Sequence, residues 1–314
     1  MRKAPAGDAE GGLAAAYAGL TLTAAFWAGN AVVARASVGD IPPLALSFWR
    51  WAVALLVVLP FGLRPLWRQR AMLRQHWPRL WVLAALSVGA FNTLLYLAAQ
   101  STSALNIALV NSNMPIGVAI LAWLVLGQPL SRLRALGIGC ALGGVLFIIT
   151  RGEWRTLVEL SFAPGDLLMV AAILCWGSFS VLMRRFALPL HALTFLTAQI
   201  ALGLTVILPF YLLELALGGG FEPQPRVLAV IGYVAVFPGL LAYAFWNHGV
   251  ARVGPARAAM FIYLVPVFAA VLAVVFLEER LYPFHTVGGG LILVGLWLAT
   301  RPVPAPAGAT GGAP

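Results

Sequence analysis

The sequence predicts an all-α membrane protein with ten transmembrane helices in two inverted five-helix repeats. Three observations predict it. Of the 314 residues, 61% are apolar and only 10% are charged, against about 25% charged in a soluble domain, which needs a charged skin. The apolar residues arrive in blocks of about twenty, the length that crosses a hydrocarbon core about 30 Å thick. Proline, glycine and tryptophan features of the first half also recur in the second at an almost constant offset. In lipid each span must satisfy its own backbone hydrogen bonds, so the blocks read as helices; a barrel would show short alternating strands.

Residues 1–12 form a short polar tail, with no cleavable signal because Leu13 onward continues as a full-length span. Span one, 13–34, carries Trp27 and Asn30. Span two, 43–62, opens on Pro42-Pro43. Span three, 80–99, carries Asn92 and Tyr96, with Gln100 one turn on, as a polar stripe at i, i+4 and i+8. Span four, 104–126, is polar in its first half (Asn106, Asn111, Ser112, Asn113) and continuously apolar only from Met114. Pro115 there removes a backbone donor and predicts a kink, leaving a carbonyl near Asn111 without its usual partner. Span five, 133–150, is rich in small residues at Gly137, Gly139 and Gly144, and a linker follows at 151–165.

Span six, 166–184, carries Trp176, Ser178 and Ser180; span seven occupies 191–213. Span eight, 227–247, carries Tyr243, Trp246 and Asn247, with His248 at its edge. Span nine, 257–277, places Met260 and Tyr263 ahead of a second kink at Pro266. Span ten, 283–300, repeats the glycine pattern at Gly288, Gly290 and Gly295. Residues 301–314 are rich in Pro, Ala and Gly, the composition of a disordered tail.

A shift of 151 residues aligns Pro115 with Pro266, Gly137 and Gly139 with Gly288 and Gly290, and Gly144 with Gly295. A shift of 149 aligns Trp27 with Trp176 and Arg35 with Arg184. Each repeat, 13–150 and 166–300, holds five spans. Because five is odd, the second repeat enters the membrane from the opposite side, as in many secondary transporters.

Charge supports the count. With the N-terminus in the cytoplasm, fourteen of the twenty Lys and Arg residues fall in cytoplasmic segments, and eight of the ten acids fall on the far side. That bias places both termini inside a bacterial inner membrane. The net charge of +10 therefore reads as an orientation signal, not as a nucleic-acid surface. Every Arg lies near a predicted span end, which counts against a carrier of sugar-linked or lipid-linked anions.

The segments Trp27-Ala28-Gly29-Asn30, Pro115 ahead of Leu126-Gly127-Gln128-Pro129-Leu130, and Pro266 ahead of Leu277-Glu278-Glu279-Arg280-Leu281 resemble the two EamA-type repeats of the drug/metabolite transporter superfamily, over about residues 13–300. The resemblance implies ten helices and export of small metabolites. Within the superfamily the chain is most similar to bacterial aromatic amino acid exporters. Gln128 stands where the family usually has Glu, as this chain does at Glu279, so a shared acidic role at the two positions does not follow.

Polar residues inside a span should face a cavity or another helix. The expected substrate cavity is lined by Trp27, Asn30, Asn92, Tyr96, Asn111, Asn113, Trp176, Ser180, Tyr243, Trp246, Asn247 and Tyr263. Rings with polar edges suit a ligand that is part apolar and part zwitterionic. Two plainer readings stay open: helix–helix hydrogen bonding for the asparagines, and packing or an interfacial belt for Trp27 and Trp246. The glycine runs read as close helix approach, with homodimer formation through spans five and ten as one use and a monomer as the other.

Carboxylates are absent from the middle of every predicted span, which favours a facilitator over a proton-coupled carrier. No Walker motif is present, no metal or cofactor is expected, and an intramembrane enzyme would need a nucleophile–base or Asp/His cluster that the spans lack. The expected partners are a small-molecule substrate and the lipid bilayer.

Overall fold

A computed structural model describes residues 6–36, 39–102, 104–153, 155–159, 163–277 and 282–301. Among these residues there is no strand, and ten helices are long and apolar enough to cross a membrane. In chain order they are α1 (Ala6–Ala36), α2 (Pro43–Arg68), α3 (Arg70–Ala98), α4 (Ala104–Asn111 and Met114–Leu126), α5 (Arg132–Ile149), α6 (Pro164–Phe186), α7 (Ala192–Ala216), α8 (Pro225–Val253), α9 (Pro255–Met260, then Leu264–Leu277) and α10 (Pro283–Thr300).

Hydropathy marks only the part of each helix that meets hydrocarbon, so several helices run past the predicted spans. α3 starts at Arg70, ten residues before its apolar block, and only Gln69 separates it from α2. Ala, Met, Leu, Arg and Gln there are good helix formers, and the helix continues through Pro78 to its apolar block. α1 likewise begins at Ala6, inside the predicted tail, while the predicted disordered tail beyond Arg301 lies outside the described residues. Proline starts five of the helices: α2, α6, α8, α9 and α10 each carry Pro at the first position, where its missing N–H costs nothing and its fixed φ favours helix.

The halves are inverted, and α5 and α10 show it. A Cβ on Gly137 would come within 2.6 Å of the Gly295 carbonyl oxygen, and one on Gly295 within 2.5 Å of the Gly137 oxygen. Gly144 and Gly288 stand in the same reciprocal relation, at 2.5 and 2.6 Å. Numbers that rise along one helix while they fall along the other describe an antiparallel pair. The 151-residue repeat carries the Gly137–Gly295 contact onto the Gly288–Gly144 contact, the relation of a pseudo-twofold axis across both helices. Between the two glycine pairs, the Cys140 thiol donates to the Leu291 carbonyl, 151 residues away.

The same symmetry organises the bundle. α2 packs along α7. α1 lies against α8 and α9 of the second half, and α6 against α3 and α4 of the first, so each half inserts its first helix into the other. The largest fully buried side chains include Trp51, Trp176, Trp246, Tyr243, Tyr263 and Phe179, most of them where the halves meet.

The close-approach glycines are occupied by this internal pairing. Gly137, Gly144, Gly288 and Gly295 face one another within one chain, whereas a Cβ on Gly139 or Gly290 would meet nothing within 4 Å.

Candidate functional site

Two local distortions build the site. α3 and α8 each contain one seven-residue π-helical stretch, Ala85–Phe91 and Ala235–Leu241, 150 residues apart. Gly89 and Gly239 occupy the same place in the two stretches. A π turn interrupts the regular hydrogen-bond ladder and is often found at functional positions; in α8, Pro238 also lacks an N–H of its own.

Both distortions offer acceptors to the opposite half. The Pro238 carbonyl accepts from Arg50 Nη2 at 2.9 Å and from Trp27 Nε1 at 3.3 Å. In α3, the Ser87 carbonyl accepts from Asn92 Nδ2 at 3.1 Å and from the Tyr243 hydroxyl at 3.2 Å. Asn92 Nδ2 also donates to that hydroxyl at 3.2 Å. The Ser87 hydroxyl accepts from Gln199 Nε2 at 2.8 Å, and Gln199 Oε1 accepts from Asn247 Nδ2 at 2.9 Å. A polar chain therefore runs from α3 through α7 to α8. Such a network holds its members in one geometry because each buried polar group left unpaired would cost free energy.

Aromatic rings enclose this chain. Trp27, Trp176 and Trp246 meet pairwise with ring centroids 5.3 Å apart. Trp176 also meets Tyr243 at 5.2 Å, and Tyr243 meets Trp51 at 4.6 Å edge-on. These are separations at which ring quadrupoles attract. Trp246 Nε1 donates to the Ser180 hydroxyl at 3.3 Å, which donates to the Trp176 carbonyl at 2.9 Å. Several buried polar atoms have no hydrogen-bond partner: the donors Arg50 Nε, Trp51 Nε1 and Trp176 Nε1, and the acceptors Asn30 Oδ1 and Asn247 Oδ1.

Of the residues expected to line a cavity, Trp27, Asn92, Trp176, Ser180, Tyr243, Trp246 and Asn247 converge here. Asn30 lies one turn beyond Trp27 and is half-buried, and Tyr96 is buried one turn beyond Asn92. Tyr263 sits in a 3₁₀ stretch, Phe261–Tyr263, with its hydroxyl buried and unpartnered. Asn111 is half-buried at the end of the first α4 segment, and Asn113 is exposed, donating only to Leu109 of its own helix.

The kink expected at Pro115 takes the form of an interruption between Asn111 and Met114, so the polar first segment and the apolar second one are separate helices. Asn106 turns to Asp166, whose carboxylate also accepts from Thr102 and from the Ala163 amide. Pro115 and Pro266 each stand in the first turn after such an interruption.

Four residues of the site were not expected: Ser87, Gln199, Arg50 and Trp51. Arg50 is not at a helix end. It lies seven residues into α2 and is 3% exposed, with its guanidinium carbon 5.0 Å from the Trp51 ring centroid. Gln199 lies equally far into α7. That shared position is the signal by which the pair could have been found.

Helix ends are tied across the halves as well. Glu214, late in α7, accepts from the Leu44 and Ala45 amides at the start of α2 at 3.1 and 2.7 Å. Gln69, just after α2, accepts from the His191 amide ahead of α7 at 3.0 Å.

The chain matches the EamA-like transporter family over residues 14–150 and 163–301. It is 28% identical over 277 residues to the transporter YyaM of Bacillus subtilis (strain 168), covering 87% of this chain and 90% of that one. It is 26% identical over 283 residues to a probable terminal-alkyne amino-acid exporter of Streptantibioticus cattleyicolor, covering 90% and 92%. A solved crystal structure shares the fold with a TM-score of 0.76 at 20% identity, over 93% of this chain and 96% of that one.

Proposed function

Because the chain belongs to the EamA-like transporter family, we propose that it exports neutral or aromatic amino acids by alternating access across a bacterial inner membrane. The observation that carries this reading is the cluster of Trp27, Trp176, Trp246 and Tyr243 against the Asn92–Ser87–Gln199–Asn247 chain, at the junction of two inverted halves. Rings suit an apolar side chain, and unpartnered donors and acceptors suit a zwitterion. Two related halves of opposite orientation can exchange conformations, which presents a shared site to each side in turn. The relative named as an amino-acid exporter supports the substrate class.

In the proposed orientation both termini, including residues 1–12 and 301–314, are cytoplasmic, and the linker 151–165 lies outside. The distribution of Arg supports it. Transport needs neither ATP nor a cofactor in this reading. The test is purified protein in liposomes with a panel of labelled amino acids: neutral and aromatic members cross faster than in empty liposomes. Equal rates across the whole panel would end the substrate assignment.

A further inference from the structure

Arg50 is a charge in an unusual place. It sits seven residues into α2, roughly 10 Å from the helix start at 1.5 Å per residue, and is 3% exposed. A charged group at that depth is costly unless it has a partner or a function. Among the described residues its guanidinium bonds to one neutral carbonyl, Pro238, and lies by the Trp51 ring, while Nε has no partner. No carboxylate pairs with it; the ion pair among these residues is Arg226–Asp40, far more exposed. Helix–helix adhesion alone does not account for a cation here, because Gln199, at the same place in α7, bonds to the opposite half with a neutral amide.

The surroundings favour an organic acid as the counter-ion. Arg50 and Trp27 donate to the same carbonyl oxygen, so the guanidinium lies beside the tryptophan cluster. Trp51 Nε1 and Trp176 Nε1 are further buried donors without partners, whereas Asn30 and Asn247 present unpartnered acceptors. Donors near the guanidinium, apolar rings, and separate acceptors form a pattern complementary to a carboxylate, a hydrophobic side chain and an ammonium group.

We propose that Arg50 takes the carboxylate of the transported solute, so that a free carboxylate is a required feature of the substrate and the first half alone supplies the charge that reads it. The proposal rests on the amino-acid reading above and sharpens it. A guanidinium–carboxylate hydrogen bond is charge-assisted and lost when the acid becomes an amide.

The experiment compares wild type, R50Q and R50K, purified and matched for melting temperature, with L-phenylalanine, L-phenylalaninamide and 3-phenylpropionate as ligands by calorimetry and as substrates in liposomes. Wild type prefers each acid over the amide by about tenfold or more, the size of a hydrogen bond to a charged group. R50Q, which can still donate to the Pro238 carbonyl, loses that preference, and R50K keeps part of it. An unchanged acid-to-amide ratio in R50Q, or no acid preference in wild type, overturns the proposal.

If 3-phenylpropionate binds in an Arg50-dependent way while no amino acid crosses, the substrate reading fails and the role of Arg50 stands. If phenylalanine crosses and R50Q keeps the ratio, the reverse holds. If neither variant folds, the two acids must still raise the wild-type melting temperature and the amide must not; the opposite order overturns the proposal.

Discussion

The Asn92 side-chain amide donates to the Tyr243 hydroxyl at 3.2 Å, and Tyr243 is the next residue after Ala242, the counterpart of Asn92 at the 150-residue offset that relates the π stretches of α3 and α8. Cys140 and Leu291, 151 residues apart, meet as repeat counterparts. Repeat counterparts touch only where the axis relating the halves passes between them. A residue that touches the chain neighbour of its own counterpart lies close to that axis, so the aromatic and polar cluster is near the part of the molecule that stays central while the halves exchange shapes.

That position predicts unequal effects for two asparagines. Asn92→Ala removes donations to the Ser87 and Val88 carbonyls and to Tyr243, leaving the Ser87 carbonyl only one side-chain bond, from Tyr243, and weakening a buried network at a cost of about 1–3 kcal/mol. Its liposome flux falls by about tenfold or more, by the same free energy. Asn113→Ala removes one local bond at an exposed position, so its stability stays within about 0.5 kcal/mol of wild type and its flux is unchanged. Equal flux in the two variants would separate transport from the axis.

Glycines on two faces of α5 should behave differently. A side chain on Gly144 would collide with the Gly288 carbonyl at 2.5 Å, whereas one on Gly139 meets nothing within 4 Å. Gly144→Leu lowers the melting temperature, by an overpacking cost of about 1–3 kcal/mol, and Gly139→Leu leaves it unchanged. A thermal melt in detergent reads both.

Glu214 accepts from two amides that the start of α2 cannot satisfy internally. Glu214→Ala therefore costs about 0.5–2 kcal/mol, as loss of an N-terminal cap does. Glu214→Gln, which keeps one acceptor oxygen, costs less. Melting curves of the three proteins rank them, and an Ala variant as stable as wild type would show that water replaces the cap.

Orientation is read with single cysteines in a chain carrying Cys140→Ser and Cys175→Ser. Gln75 and Glu222 are both exposed, on α3 and in the segment before α8. A membrane-impermeant maleimide reacts with Gln75→Cys only from the cytoplasm and with Glu222→Cys only from outside. The opposite pattern inverts the proposed topology.

The ten helices and their inverted repeat were legible from residues alone. Transfer into lipid depends on local composition, so each block of about twenty apolar residues declares itself, and the recurrence of Pro115 and Gly137 at Pro266 and Gly288 needs no coordinates. Much of the aromatic cluster was legible too, since Trp27, Trp176, Tyr243 and Trp246 are polar-edged rings within spans. Helix phase was not. Ser87 sits within the π stretch of α3, where it meets Gln199 of α7, and Asn113 sits in the interruption of α4, exposed and bonded to Leu109. Nor could hydropathy show what Arg50 does, because a window average tolerates one charge within a span and carries no information on whether that charge is buried or paired. Contacts across helices are set by angles of tens of degrees, and only the packed bundle specifies those.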